Sequence, residues 1–251
     1  SDLYMKISAF WKNAKIKNHT KIERDQGFLI FGLQRSGSNF LSEMLKRSCS
    51  SIKNNFYQIN DRRFDVIWKH SIYVPTINID CPTFVIFKNP YKWVESVCLR
   101  NHGDILSRQV KYPVDEREGL SNNYLFGKNK FNLENLGKLY NHFFESWIIN
   151  KSENIKQKII IKYENLLDKE KRDSFIKEIS KKLNINFNMN VDPISLIGQV
   201  YQSENFSEKN LKYYKEEENL SLSEENLSIF NSNLNNLIFD MLEYKKINKK
   251  N

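Results

Sequence analysis

The strongest structural signal in the chain is the stretch GFLIFGLQRSGSNFL, residues 27–41. Its apolar run FLIF stands between two glycines, which is typical of a buried β-strand. The following run, SNFLSEML, has apolar residues at helical spacing. A strand, a glycine-containing loop and a helix in succession present backbone N–H groups and a helix N-terminus to an anion. The stretch therefore predicts an anion-binding turn in an α/β domain.

The glycine spacing of this loop matches a phosphate-binding P-loop, but the residues after it do not. Gly32 and Gly37 are five positions apart, and the expected Lys-Ser/Thr pair is replaced by Ser38 and Asn39. The strong cation of the loop, Arg35, instead precedes the second glycine. The loop could be that of a nucleoside or sugar kinase in degenerate form, or an intact loop for another phosphate-bearing ligand.

Composition sets wider limits on the class of protein. The 251 residues are enough for one sizeable α/β domain, and the net charge of +9 would attract a polyanion without selecting which one. The three cysteines have no CxxC spacing, so we expect free thiols in a reducing compartment and no zinc site. The chain as given has no signal peptide and no apolar run near membrane-spanning length, so we expect it to be cytoplasmic, or a lumenal catalytic domain if it belongs to a longer protein.

Strand-like and helix-like segments alternate along the chain. We expect a polar, basic leader over 1–26 and one domain over 27–251, with residues 101–131 forming a long loop. Further strands are predicted at 64–70, 82–90 and 159–167, the last running into a loop, and further helices at 91–100, 132–151, 169–183 and 221–244. This order predicts a single-domain, three-layer α/β/α fold with a mainly parallel central sheet.

The segment RSGSNF resembles the 5′-phosphosulfate loop of the PAPS-dependent sulfotransferases, where PAPS is 3′-phosphoadenosine 5′-phosphosulfate. The RSGSSF version found in carbohydrate sulfotransferases is the most similar. The resemblance implies that Arg35 faces the phosphosulfate and that Phe40 packs near the adenine. It also implies a cradle for the 5′-phosphate formed by Ser36, Gly37, Ser38 and Asn39. Asn39 departs from the family's usual hydroxyl, although its amide can still donate a hydrogen bond.

Two later segments extend the resemblance. The segment KNPYKWVES is similar to the family's 3′-phosphate motif, an Arg-x-Pro with a Ser eight residues after the Arg. Lys88 and Ser96 occupy those two positions, and Lys88 keeps the charge but lacks the bidentate fork of Arg. The segment KYENLL resembles a Tyr-Glu-Asp/Asn-Leu stretch, which implies an adenine contact for Tyr163 and a supporting role in the fold for Glu164. The C-terminal LEYK is similar to the family's Leu-Gly-Tyr ending.

The resemblance implies transfer of a sulfuryl group from PAPS to a hydroxyl or amine, with PAP as product and no metal required. In this scheme Arg35 stabilises charge at the leaving group. His70, in IWKHS, resembles the family's histidine base, and the neighbouring Lys69 is a candidate for binding the sulfuryl oxygens. Some members use a carboxylate base instead, for which the candidates are Glu43, Asp61 and Asp65. His102 and His142 could line the acceptor site, and the loop over residues 101–131 would lie on the acceptor side.

Three functions therefore remain open at the level of sequence. The first is a sulfotransferase acting on a small molecule or a carbohydrate, with no nucleic acid partner. The second is a P-loop kinase with a degenerate loop, and the third is a non-catalytic module that binds polyanions. Taken singly, Lys88 and Ser96 would each be ordinary structural or surface residues. Their order and spacing after the loop favour the first function. The sequence does not indicate an oligomeric state.

Overall fold

The computed structural model describes residues 21–22, 28–48, 69–75, 77–100, 109–110, 131–187, 220 and 222–248. Its strands are β1 (Lys21–Ile22), β2 (Leu29–Phe31), β3 (Asn78–Ile79), β4 (Thr83–Phe87), β5 (Gln109–Val110), β6 (Phe131–Asn132) and β7 (Lys158–Lys162). Its helices are α1 (Ser38–Ser48), α2 (Pro90–Arg100), α3 (Leu133–Phe144), a π-helix that continues it (Glu145–Ile149), α4 (Tyr163–Leu167), α5 (Lys169–Leu183), α6 (Glu224–Ser232) and α7 (Leu237–Leu242).

The main sheet is parallel, with its three described strands in the order β2-β4-β7. Thr83 of the central strand is in register with Leu29 on one side and Lys158 on the other. A parallel pair, β1-β3, and an antiparallel pair, β5-β6, are separate from it. The predicted α/β class with a mainly parallel sheet is confirmed.

Apolar side chains cover both faces of this sheet. Successive strand residues point to opposite faces, and they divide between two buried clusters accordingly. One cluster contains Leu29, Phe31, Val85 and Phe87 together with residues of α2, α3, α6 and α7. The other contains Ile30, Phe84, Ile86, Ile159 and Ile161 together with residues of α1, α4 and α5. Two-sided burial explains why these strands are near-continuous apolar runs.

Asn89 and Pro90 set the start of α2 as the sequence predicts. Pro90 is the first helical residue, where its missing N–H costs nothing. The Asn89 side-chain oxygen accepts hydrogen bonds from the backbone N–H groups of Tyr91 (3.0 Å) and Lys92 (3.4 Å). This cap satisfies N–H groups of the first helical turn, so α2 can begin three residues after the last residue of β4.

The predicted strand at 159–167 is wrong in its second half. The strand ends at Lys162, and residues 163–167 form helix α4 rather than a loop. Tyr163, Leu166 and Leu167 are buried at helical spacing, so packing of this apolar face stabilises a turn that local propensity did not indicate.

The single helix predicted at 221–244 is also wrong, because the structure has α6 and α7 with a break between them. The amide of Asn233 donates to the carbonyl of Ile229 (2.9 Å), and the Asn235 side chain accepts from the N–H of Leu237 (2.9 Å). Asparagine side chains compete with backbone hydrogen bonds in this way, and a run of them ends one helix and begins the next.

Other predicted segments fall wholly or partly outside the described residues. Of the predicted strand at 64–70, only the last two residues are described, and they form a turn. Its backbone still reaches the main sheet, since the N–H of Gly32 donates to the carbonyl of Lys69 (2.9 Å). The leader contributes β1, and the 101–131 loop contributes β5 and the first residue of β6.

Candidate functional site

The turn between β2 and α1 depends on its two glycines. Gly37 has φ +98°, a conformation that side chains rarely adopt, and a Cβ there would lie 2.2 Å from a ring carbon of Tyr163. A Cβ on Gly32 would lie 2.5 Å from the Ser36 hydroxyl oxygen and 2.6 Å from a side-chain carbon of Ile86. The chain therefore passes close to the end of β4 and to Tyr163, which only glycine permits.

The structure brings the turn and helix α2 together. Arg35 has φ 70°, a left-handed conformation that costs a non-glycine residue about 1–3 kcal/mol. Its Nε donates to the hydroxyl of Ser96 (3.4 Å), and the indole N–H of Trp93 donates to the carbonyl of Gln34 (2.8 Å). The segments RSGSNF and KNPYKWVES, which are far apart in sequence, are thus adjacent in space.

A buried hydroxyl lies in this turn. Ser36 is 2% exposed, and its Oγ has no hydrogen-bond partner among the described residues. Ser38 is buried at the N-terminus of α1, and Asn39 beside it is exposed. The ammonium of Lys69 donates to the side-chain oxygen of Asn39 (2.5 Å). A buried polar atom without a partner is uncommon in folded proteins, and a bound ion, water or ligand is one way to satisfy it.

Lys88 is a buried cation at the end of β4. It is 4% exposed, and its Nζ lies 4.3 Å from the centre of the Tyr163 ring. Its carbonyl accepts the Tyr140 hydroxyl (2.6 Å). Burial lowers the pKa of Lys88 to about 7, with the Glu164 carboxylate acting in the opposite direction and Arg35 adding to the decrease. Two cations therefore converge at the carboxyl ends of β2 and β4.

Glu164 and Asn89 lie beside the Lys88 turn; the sequence predicted a supporting role in the fold for Glu164 and no role in the site for Asn89. One Glu164 oxygen accepts the backbone N–H of Asn89 (2.8 Å), and the other accepts the Tyr244 hydroxyl (3.0 Å). Burial raises the pKa of Glu164. Asn89 is fully buried, and its Nδ2 has no partner among the described residues. An asparagine before a proline at a strand–helix junction is the sequence signal that points to such a cap.

His70 lies against the other side of the turn. Its Nδ1 is 2.7 Å from the carbonyl oxygen of Gly32. A carbonyl can only accept, so Nδ1 carries the proton and Nε2 is the unprotonated nitrogen of the neutral ring. Burial, together with the charge of Lys69, lowers the pKa of His70 to about 3. The imidazole is therefore neutral and of fixed tautomer.

The π-helix after α3 holds the segment that follows His70. The Trp147 indole N–H donates to the carbonyl of Ser71 (3.2 Å), and the N–H of Val74 donates to the Ser146 hydroxyl (3.0 Å). The wider turn of a π-helix is a frequent feature near functional sites. Here it fixes the backbone next to the candidate base.

The two aromatic residues expected at the adenine lie inside the protein. Phe40 has no exposed surface and contacts Tyr163 edge-to-face, with ring centres 5.8 Å apart. Tyr163 is 5% exposed. Their contact with an adenine stays a prediction, as the structure shows them only in the core around the turn.

The remaining candidates are not brought to this turn in the described part of the chain. Glu43 pairs with Lys46 one turn further along α1 (3.3 Å), and His142 is a partly buried residue of α3. Asp61, Asp65 and His102 lie outside the described residues.

Within the described ranges, no group of three or more His, Cys, Asp or Glu side chains could hold a metal ion. None of the helices in those ranges has the length and apolar character needed to cross a membrane. No protein-family model matches this sequence, and no curated protein matches it significantly.

Proposed function

We propose that this chain is a PAPS-dependent sulfotransferase with a single-domain, three-layer α/β/α fold, in which residues 32–37 form a phosphosulfate-binding turn. The observation that carries the proposal is the buried hydroxyl of Ser36, which lacks a partner among the described residues and lies in a glycine turn beside Arg35. Leaving such a group unpaired costs about 1–3 kcal/mol. A phosphate oxygen of the nucleotide would remove that cost. The two buried clusters on opposite sheet faces support the three-layer arrangement.

The placement of the two cations before two different helices favours a nucleotide with two separate phosphate positions. Arg35 and Ser36 stand before the N-terminus of α1, and Lys88 stands before the N-terminus of α2. Helix N-termini attract anions, and PAPS carries phosphates on both its 5′ and 3′ oxygens. A kinase loop would instead supply a lysine after Gly37 and a magnesium-binding hydroxyl. The buried Nδ2 of Asn89 is a further donor beside the second position.

The chemistry supplied by PAPS is an activated sulfuryl group. Its bond to the 5′-phosphate oxygen breaks as the acceptor oxygen or nitrogen bonds to sulfur, and PAP leaves. Arg35 stabilises the charge on the departing phosphate oxygen. His70 takes the acceptor proton at Nε2. Its pKa of about 3 makes it a weak base by itself, and the negative charge of bound nucleotide and sulfuryl would raise that pKa.

The direct test is PAP binding measured by calorimetry at tens of micromolar protein. We expect binding in the natural chain and a loss of about 10- to 100-fold in Arg35→Ala, since a charge-assisted hydrogen bond contributes about 1.5–3 kcal/mol. Binding that is absent, or unchanged in Arg35→Ala, would contradict the proposal. Acceptors would then be sought with labelled PAPS and a panel of glycans and small alcohols.

The same samples separate the two alternatives. Stabilisation by ATP with magnesium, without any effect of PAP, would favour the kinase. Salt-sensitive binding of polyanions that survives substitution of Arg35 and Ser38 would favour a non-catalytic module.

A further inference from the structure

The residues after α7 form a C-terminal strap, residues 243–247, that is attached on both sides of the Lys88 turn. The Tyr244 hydroxyl donates to Glu164 (3.0 Å), and Tyr244 itself is 5% exposed. The N–H of Ile247 donates to the Tyr91 hydroxyl (3.1 Å). Among the attachments of the strap, one is therefore at the start of α4 and another is in the first turn of α2.

Glu164 connects the strap to the turn. Its two carboxylate oxygens are held by different donors: the backbone N–H of Asn89 on one and the Tyr244 hydroxyl on the other. Asn89 directly follows Lys88, whose ammonium interacts electrostatically with the same carboxylate. The position of Glu164 therefore influences both the backbone of the turn and the charge of the buried lysine.

We propose that Tyr244 is a positioning residue for the second anion site, which acts through Glu164 to hold the Lys88–Asn89 turn ready for the 3′-phosphate of a bisphosphorylated nucleotide. This inference rests on the proposed function. Without the tyrosine hydroxyl, one oxygen of Glu164 loses its donor. The Lys88 ammonium is the nearby cation that can replace that donor. A lysine engaged by the carboxylate is then less able to bind a phosphate.

The experiment compares two ligands that differ in the 3′-phosphate. Calorimetry measures the dissociation constants of PAP and of adenosine 5′-monophosphate for the natural chain, Tyr244→Phe and Tyr91→Phe. We expect Tyr244→Phe to weaken PAP binding about tenfold and to change adenosine monophosphate binding less than about twofold. Tyr91→Phe is the matched control, because it removes a different attachment of the strap, together with the hydrogen bond from Tyr91 to Asn231, without touching Glu164. In Tyr91→Phe, the ratio of the dissociation constants of PAP and adenosine 5′-monophosphate should equal the ratio in the natural chain.

A spectroscopic measurement separates positioning from a general loss of structure. The amide of Asn89 donates to Glu164, so its NMR resonance should shift in Tyr244→Phe and stay in place in Tyr91→Phe. Equal weakening of both ligands, an unchanged ratio, or an unmoved Asn89 amide would each overturn the role of Tyr244. Failure of the natural chain to bind PAP would overturn the sulfotransferase proposal itself and this role with it.

Discussion

At the scale of single residues, the Ser36 hydroxyl makes opposite predictions for stability and for binding. Ser36→Ala removes a buried hydroxyl that has no partner among the described residues, and with it a desolvation penalty, so this variant should unfold at the same or a higher urea concentration. The same variant should bind PAP about 2- to 10-fold more weakly, because a neutral hydrogen bond contributes about 0.5–1.5 kcal/mol. Urea unfolding and calorimetry measure the two effects.

The matched control for that variant is Ser48→Ala. Ser48 is equally buried, and its hydroxyl likewise has no partner among the described residues, but it lies at the far end of α1. Its substitution should leave PAP binding unchanged. If both variants weakened binding alike, the special role of Ser36 would be lost.

Lys88 predicts how nucleotide affinity depends on pH. The groups that act on its ammonium include Glu164, Arg35 and the Tyr163 ring. With a pKa lowered to about 7, Lys88 loses its proton as pH rises above that value, and a phosphate binds best to the charged form. PAP affinity should therefore fall between about pH 7 and pH 9 by up to about tenfold per pH unit, because binding then requires uptake of one proton.

The variant Lys88→Arg tests whether deprotonation of Lys88 causes the fall of PAP affinity with pH. A guanidinium stays charged across this range, since its pKa exceeds about 12. The decline of affinity with pH, measured by calorimetry at several pH values, should disappear in this variant. A decline of the same steepness would show that another group takes up the proton.

At the scale of elements, the β2-turn-α1 unit depends on Gly37. Gly37→Ala must place a Cβ at φ +98° and 2.2 Å from a carbon of the Tyr163 ring. We expect a loss of about 1–3 kcal/mol in the free energy of unfolding from the backbone strain, with further loss from the displaced ring. Urea unfolding measures the effect. Asn39→Ala, at an exposed position two residues further along the chain, should change stability by less than about 0.5 kcal/mol. Equal stability of the glycine variant and the natural chain would contradict the conformation described for the turn.

Strands and helices could be predicted from the sequence where the local residue pattern favours the same structure as the packing around it. The run TFVIF and the Asn-Pro junction after it indicate strand and helix unambiguously, and both are present. YENLL was not predictable as a helix, since five residues are too few to be helical without packing. The break between α6 and α7 depends on which asparagine side chains reach backbone groups, which no periodicity shows.

At the scale of the whole molecule, a ligand that joins the two motifs should stabilise the entire fold. The turn belongs to one buried cluster through Tyr163 and contacts α2 of the other through Arg35. PAP at about 100 times its dissociation constant should add about 2.7 kcal/mol. For a domain of this size that corresponds to a rise in melting temperature of about 5–11 °C.

Scanning fluorimetry measures the shift, and Arg35→Ala at the same PAP concentration is the control. A melting temperature that PAP leaves unchanged, under conditions where calorimetry detects binding, would mean that the site is not coupled to the fold.

The sequence by itself determined the α/β class, the glycine turn and the cations beside it, because these depend on local periodicity and on residue types at short spacing. Only the tertiary structure decided which of these residues meet. Arg35 and Ser96 are 61 positions apart, and Glu164 and Tyr244 are 80 apart, yet each pair forms a hydrogen bond. Packing likewise decided that the Ser36 hydroxyl has no partner among the described residues and that the pKa of Lys88 is lowered to about 7. Desolvation and partner choice depend on what packs around a group, and parallel strands bring together segments that the chain keeps far apart.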